Sequence, residues 1–312
     1  MPTTEEVVRA HQERQQNLVQ RTLAAVLRML GLMSRERPGA SWTGGVDERV
    51  LAAVIAAQQE SAEAGADYIR QVLRAAGVRS RMAGRVSSRA LAGTASDGRS
   101  LNSLLGVPIA TAIRNIERGM SPDEAFERMI RRMAMIVATQ VDDAGRVAAG
   151  VAQAGDRVIL GYERMVNAGA CSRCIILAGQ VYAWSDGFER HPNCACVHRP
   201  IYTIEDYRDR AARRTAKQIF DGMSRAEQDR TFGAAAAQAI RDGADIGQVV
   251  NARRGLSVAG GRRTTTEGTT RRGSARRRGS PSPRIMPEEI YRLANGDRAE
   301  AIRLLRLYGY IV

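Results

Sequence analysis

Residues 169–200, GACSRCIILAGQVYAWSDGFERHPNCACVHRP, hold all four cysteines of this 312-residue chain and two of its three histidines. Cys171-x-x-Cys174 is a knuckle: two thiolates this close in sequence converge on one tetrahedral ion when the turn between them is tight. His191-x-x-Cys194 follows at a spacing usual for zinc modules, and Cys196 adds a fifth candidate two residues further on. Between the two pairs Gly179 suits a turn and residues 181–184 a short strand, so the window reads as knuckle, small hairpin and second ligand pair. Buried apolar thiols or a redox CxxC pair are the alternatives, but a chain that gathers every cysteine beside a histidine favours metal. Five candidates for four seats leave no place for a water molecule, so the expected site is closed and structural, with zinc as its ion. Cys194 and Cys196 stay equivalent at this level, because residues i and i+2 of a strand share a face.

The surroundings decide which chemistry those thiols meet. The start of the chain, MPTTEEVVRAHQERQQ, is acidic and polar instead of basic then apolar, and no apolar run has the length of a membrane span, so neither export nor membrane insertion is expected. Thiols of an unexported protein stay reduced, which favours metal over disulfides. Hydrophobic residues make up 44% of the chain and aromatic ones only 4%, so the core must come from aliphatic helix packing. Lys217 is the one lysine among 47 basic residues, a bias that points to a GC-rich genome.

Outside the window the periodicity is helical. Thr3-x-x-Glu6 is a capping box opening a helix over about 5–33; SRERPGASWTGG breaks it, and Asp47 is placed to cap a second long helix to about residue 76. Residues 77–100 read as loop, 108–118 as a short helix, and Ser121-Pro122-Asp123-Glu124 as cap, first-position proline and acidic first turn of a helix running to about residue 151. The methionine row in that helix, Met129, Met133 and Met135, is expected to be ordinary core. A half-buried strand is expected over 157–166, delivering the chain to Cys171. Beyond the window Thr203 opens a helix, Ser224-x-x-Glu227 is another capping box, and two short helices follow. The expected fold is mainly α-helical with a small α+β zinc-binding module in the middle. It divides into a helical N-terminal domain at 1–152, the module at 153–202, a helical segment at 203–254, a flexible arm at 255–286 and a C-terminal helix at 287–312. The apolar end of that helix, from Leu304 to Val312, is expected to dock on a partner.

The arm is expected to be extended or disordered, because Gly, Ser, Thr and Arg offer little to bury. Between Asn251 and Met286 stand ten arginines against one acid, Glu267. Such a run is often just a solvated tail. Arginine on a flexible backbone without stacking aromatics also suits sequence-blind phosphate contact, and Arg262, Arg263, Arg271, Arg272, Arg276, Arg277 and Arg278 are its candidate nucleic-acid contacts.

The motif CSRC…LAGQVY…HPNCAC resembles that of the phage Mu F-like head morphogenesis proteins, in which CxxC, a following Leu and Gly, and a closing HPxCxC recur. AEQDRTFG, AIRDGADIGQVVNARRG, TTTEGTTRRG and PEEIY…EAIRLLRLYGYI resemble the C-terminal half of versions carried by tailed phages of actinobacteria. The resemblance covers about residues 100–312; residues 1–100 match in helical character only. Ala195 departs from the Arg or Asp that the family often has between its last two cysteines. The resemblance implies a minor capsid protein of low copy number near the portal, acting in head morphogenesis or DNA delivery. Its partners would be the portal and major capsid proteins and packaged double-stranded DNA. It would reside in the virion head, and in the host cytoplasm during assembly. Many members carry the label capsid maturation protease, which makes cleavage of a capsid or scaffold chain the alternative. The sequence offers no GxSxG elbow and no HExxH, so no catalytic residue is assigned and a non-enzymatic role is favoured.

Overall fold

The computed structural model describes residues 2–167, 169–187, 191–192, 194–211 and 215–311. Two compact units form, one from Met1–Asn167 and Gln180–Ala211, the other from Ala168–Gly179 and Ala212–Val312. The architecture is mainly α with a small α+β module in the middle. No helix of the described residues is long and apolar enough to cross a membrane.

In the first unit, α1 (Thr4–Leu30) opens on the expected capping box: Glu6 N–H donates to Thr3 Oγ1 at 3.2 Å, and Thr3 N–H to Glu6 Oε2 at 2.7 Å. After α2 (Pro38–Ser41) a π-helical turn, Trp42–Val46, runs straight into α3 (Asp47–Ala75), so Asp47 lies in the first turn of α3 instead of capping it. The wide turn is closed by Gly45 at φ 101°, a conformation that glycine adopts without strain. Helix α4 (Leu101–Glu117) starts seven residues before the expected position, and Pro108 sits inside it on the buried face with Leu101, Leu105 and Ile109. Apolar burial of that face outweighs the one hydrogen bond the proline forfeits. Helix α5 (Pro122–Gly155) begins as expected, with Glu124 N–H donating to Ser121 Oγ at 3.3 Å. Met129 and Met133 are buried with Val26, Leu30, Val50 and Val137, and Met135 packs on the same cluster, so the methionine row is core.

Helices α3 and α5 cross almost backbone to backbone. A Cβ on Gly65 would overlap the carbonyl of Gly145, and one on Gly145 would meet Ser61 Oγ and Gln15 Nε2. Ala62, Ala66 and Ala148 continue the seam. Across it Ser61 Oγ donates to the Val141 carbonyl at 2.6 Å. Gly65→Ala is therefore expected to cost about 3 kcal/mol despite alanine's better helix propensity, because the added methyl meets backbone that cannot step aside. A chemical unfolding curve for the variant that matches the parent protein would show that the seam is looser than described.

Strands β1 (Gly161–Met165), β2 (Val181–Ala183) and β3 (Val197–Ile201) form an antiparallel sheet in the order β2-β1-β3, with Tyr162 opposite both Tyr182 and Pro200. The strand expected from residue 157 begins at Gly161, since residues 156–158 form a turn on the buried Asp156 carboxylate, which accepts from Ser80, Arg81 and Val158. Helix α7 (Ile204–Ala211) closes the unit.

The second unit begins with α6 (Ser172–Ile175) and continues through α8 (Thr215–Gly222), α9 (Arg225–Phe232), α10 (Ala234–Arg241) and α11 (Ile246–Ala252). Ile175, Phe220, Phe232, Ile240, Ile290 and Leu305 share its core. The Ser224/Glu227 capping box is present. The arm expected at 255–286 is folded instead. Strands β4 (Leu256–Ala259), β5 (Arg262–Thr265) and β6 (Arg284–Ile285) make a second antiparallel sheet, with the turn α12 (Ser274–Arg277) between the last two. Gly260 and Gly261, both at positive φ, supply the two-residue hairpin turn. Arg284 is fully buried. Its guanidinium donates to the carbonyls of Tyr308 at 2.7 Å, Gly309 at 3.1 Å and Glu267 at 3.3 Å, and lies 3.8 Å from the Tyr310 ring centre.

The single C-terminal helix expected at 287–312 is two: α13 (Pro287–Ala294) and α14 (Arg298–Leu307). Asn295 and Gly296 take left-handed conformations that end the first, and Asp297 accepts from Ala299 N–H and Glu300 N–H to start the second. Of the apolar end expected to dock on a partner, Leu304, Leu305 and Tyr310 are buried inside the unit and Leu307 is exposed; Val312 lies outside the described residues.

Candidate metal centre

The CxxC pair converges for a local reason. Cys171 is the N-cap of α6 and Cys174 its third residue, and side chains at those two positions of a first turn face each other, as in a capping box. The turn is closed by Ile175 N–H donating to the Cys171 carbonyl at 3.0 Å and Leu177 N–H to the Cys174 carbonyl at 3.0 Å. At the other end of the window Cys194 N–H donates to the His191 carbonyl at 3.2 Å, a second tight turn that leads into β3.

Cys171, Cys174 and His191 make one group that could hold a metal ion, and Cys174, Cys194 and Cys196 another. All five expected ligands thus belong to one of two clusters that share Cys174, and either could hold a metal ion. Cys174, Cys194 and Cys196 are buried, His191 is half-buried and Cys171 exposed. His191 Nδ1 lies 2.7 Å from the Pro192 carbonyl; donation there leaves Nε2 as the ligand atom. The donor set, soft thiolates with one imidazole, is the chemistry that zinc and similar ions select.

Two arginines that the sequence reading did not single out support this end of the window. Arg146, held by Asp143 at 2.6 Å, donates to the carbonyls of Cys194 and of Cys196, the latter at 3.1 Å, and so fixes the turn between the two thiols. Arg164, buried on β1, places its guanidinium 3.6 Å from Cys194 Sγ, where a cation offsets thiolate charge. Asp143-x-x-Arg146 is visible as a helical ion-pair spacing, but nothing local says which loop it serves.

The same unit brings together the two histidines near residues outside the ligand set. His11 stacks on Tyr68 with ring centres 4.1 Å apart, Tyr68 donates to the His198 carbonyl at 2.6 Å, and His198 stacks on Tyr162 at 4.2 Å with Nδ1 2.9 Å from Gln153 Nε2. His11, Tyr68 and His198 line, with Asp142 and Arg146, a cavity of about 20 Å³, the volume of one water molecule and too small for a substrate. Burial, with a smaller push from Arg14, lowers the His11 pKa to about 4. Burial also raises Asp142 to about 7, helped by Asp143 and Cys194 and opposed by Arg146.

These shifts have opposite signs in stability. A histidine depressed in the folded state contributes stability that is full above its unfolded pKa of about 6.5 and is lost as pH falls to about 4, here about 3 kcal/mol. A raised carboxyl such as Asp142 instead loses stability as pH rises from about 4 to about 7. His11→Phe keeps the stack and removes only the first effect, so the variant should gain stability relative to the parent protein between pH 6.5 and 4 in denaturant titrations. A constant difference across that window would mean that His11 titrates normally.

The seven candidate nucleic-acid contacts are all exposed: Arg262 and Arg263 on β5, Arg271 and Arg272 in the loop before α12, and Arg276, Arg277 and Arg278 on and just after it. No protein-family model, no curated protein and no solved structure matches this chain.

Proposed function

We propose that this chain is a minor head protein of a tailed phage, of the Mu F-like kind, in which one zinc ion staples a small module and exposed arginines meet packaged DNA. The observation that carries the reading is that the Cys and His side chains of CxxC and HPxCxC make groups that could hold a metal ion. Within it, Cys171, Cys174 and His191 hold zinc together with Cys194 or Cys196, and the ion stabilises the module without taking part in a reaction. Portal and major capsid proteins are the proposed neighbours, at low copy number in the virion.

Metal analysis of the purified protein under reducing conditions should give one zinc per chain. Heads assembled without the chain should be defective or fail to deliver DNA; normal infectious particles lacking it would refute the assembly role. Co-expression with the cognate capsid protein followed by intact-mass measurement addresses the protease alternative, and trimming of the capsid chain would replace the present reading.

DNA contact through phosphates predicts that duplexes of unrelated sequence bind alike, with affinity falling by about 10³ between 50 and 200 mM salt if six or more arginines engage. Replacing Arg271, Arg272, Arg276, Arg277 and Arg278 by serine should flatten that slope and leave zinc content unchanged. An unaltered slope would remove these arginines from the contact.

A further inference from the structure

Strand β4 is an edge. The sheet order is β4-β5-β6, and among the described residues no strand pairs with the other side of β4. Its register shows which groups that edge presents. Leu256 stands opposite Thr265, Ser257 opposite Thr264, Val258 opposite Arg263 and Ala259 opposite Arg262. Thr266 N–H donates to the Gly255 carbonyl, which makes 255/266 a hydrogen-bonded pair, and alternation then makes 257/264 and 259/262 the next two. Val258 and Leu256 belong to the intervening pairs. Consistently, the carbonyl of Arg263, opposite Val258, turns away from β4 and accepts from Met286 N–H. The N–H and C=O of Val258 and the C=O of Leu256 therefore point out along the open edge.

Natural edge strands are usually blunted by charge, proline or a bulge. This one reads Leu-Ser-Val-Ala, is regular, and exposes Leu256 by 55% and Val258 by 73%. Its charge lies beside it instead of on it: Arg263 across from Val258, Arg262 across from Ala259 on the opposite face, and Arg254 just before the strand, all exposed. We propose that β4 takes an extended acidic segment of a partner protein as an added strand. The backbone of Val258 and Leu256 supplies the hydrogen bonds, Leu256 and Val258 receive alternate apolar side chains, and Arg262, on the other face, selects the acidic ones between them, in a field that Arg254 and Arg263 make more positive. A second copy of this chain fits poorly, because pairing β4 with β4 would set both groups of arginines side by side on chains that each carry a formal charge of +14.

The test uses the full chain and a fluorescent capped hexapeptide of alternating glutamate and valine. It should bind, whereas a lysine-valine hexapeptide should not, and a glutamate-valine peptide methylated on its backbone nitrogens should lose binding by about tenfold or more, the equivalent of one or two hydrogen bonds. Val258→Pro deletes the outward donor while leaving the 257/264 and 259/262 pairs intact, and should weaken the peptide by a similar factor. The methylated peptide on unaltered protein gives the same answer should that variant fold poorly. Equal binding of methylated and unmethylated peptides would reduce the site to a general polyanion surface, with duplex DNA as an equal competitor, and overturn the proposal. A concentration-dependent dimer abolished by Val258→Pro would give the edge to a second copy and overturn it as well.

Discussion

Cys174→Ser should cost the chain its metal and the order of the window around it. Cys174 is common to both ligand clusters, so its loss leaves Cys171 with His191 on one side and Cys194 with Cys196 on the other, and neither pair alone makes a tetrahedral structural site. On the proposed zinc reading the loss is on the order of 10 kcal/mol of binding energy that is also folding energy. Metal content near zero and fast amide exchange over residues 161–201 are the expected results, while the parts of α1, α3 and α5 that share the cluster of Val26, Leu30, Val50, Val54, Met133 and Val137, which includes no residue of the window, keep their protection. Cys194→Ser and Cys196→Ser should differ from each other, because only one of the two sulfurs is needed to complete the site. A parent protein that carries no metal under reducing conditions and still protects this window would return the thiols to the reading of ordinary buried side chains.

The second large effect is expected at Arg284. Alanine there would leave the carbonyls of Glu267, Tyr308 and Gly309 without their donor, open a cavity over the Tyr310 ring and release β6 from the C-terminal turn, at about 4 kcal/mol. Lysine keeps the charge but not the planar fork, so Arg284→Lys should recover only part of the loss. Thermal unfolding followed by proteolysis in the 255–286 segment distinguishes the cases: the alanine variant should be cut there at temperatures at which the parent protein is resistant. Equal resistance would mean that the second sheet holds without this anchor. Mutating any of the five arginines from Arg271 to Arg278 should leave the same measurement unchanged, since all five are exposed.

Arg284 also shows why the composition of this segment points to an arm while its structure is folded. By composition it is one arginine among ten in a Gly/Ser/Thr stretch, and nothing local tells it from Arg278 or Arg272. Its burial is set by carbonyls 17 to 25 residues away in sequence. The hairpin is legible, in contrast: Gly260-Gly261 between LSVA and RRTT is a two-residue turn signal, although the composition around it is that of a solvated arm. The long helices were legible because their signals are local, in the Thr3/Glu6 and Ser224/Glu227 boxes and the Ser121 cap. Asn295-Gly296 is an equally local stop signal. Of the candidate site, the five ligands could be read from spacing, since turns of fixed length bring them together. Arg146, Arg164 and the stack of His11, Tyr68 and His198 could not, because they meet only through tertiary packing.

That packing bears on how the chain is made. Tyr68 bonds to the carbonyl of residue 198, 130 positions later, and Arg199 pairs with Glu5, 194 positions earlier. On a ribosome the four long helices emerge with most of their mutual contacts available, but β3 must be synthesised before the two ends of the first unit can be joined. Residues 168–179, which belong to the second unit, emerge before that closure and wait for partners after residue 212. The nascent protein thus holds two unfinished bodies at once. Such non-local closure is slow and leaves apolar surface open meanwhile, so the yield of soluble protein should depend on translation rate and temperature more than its aliphatic helical core would suggest.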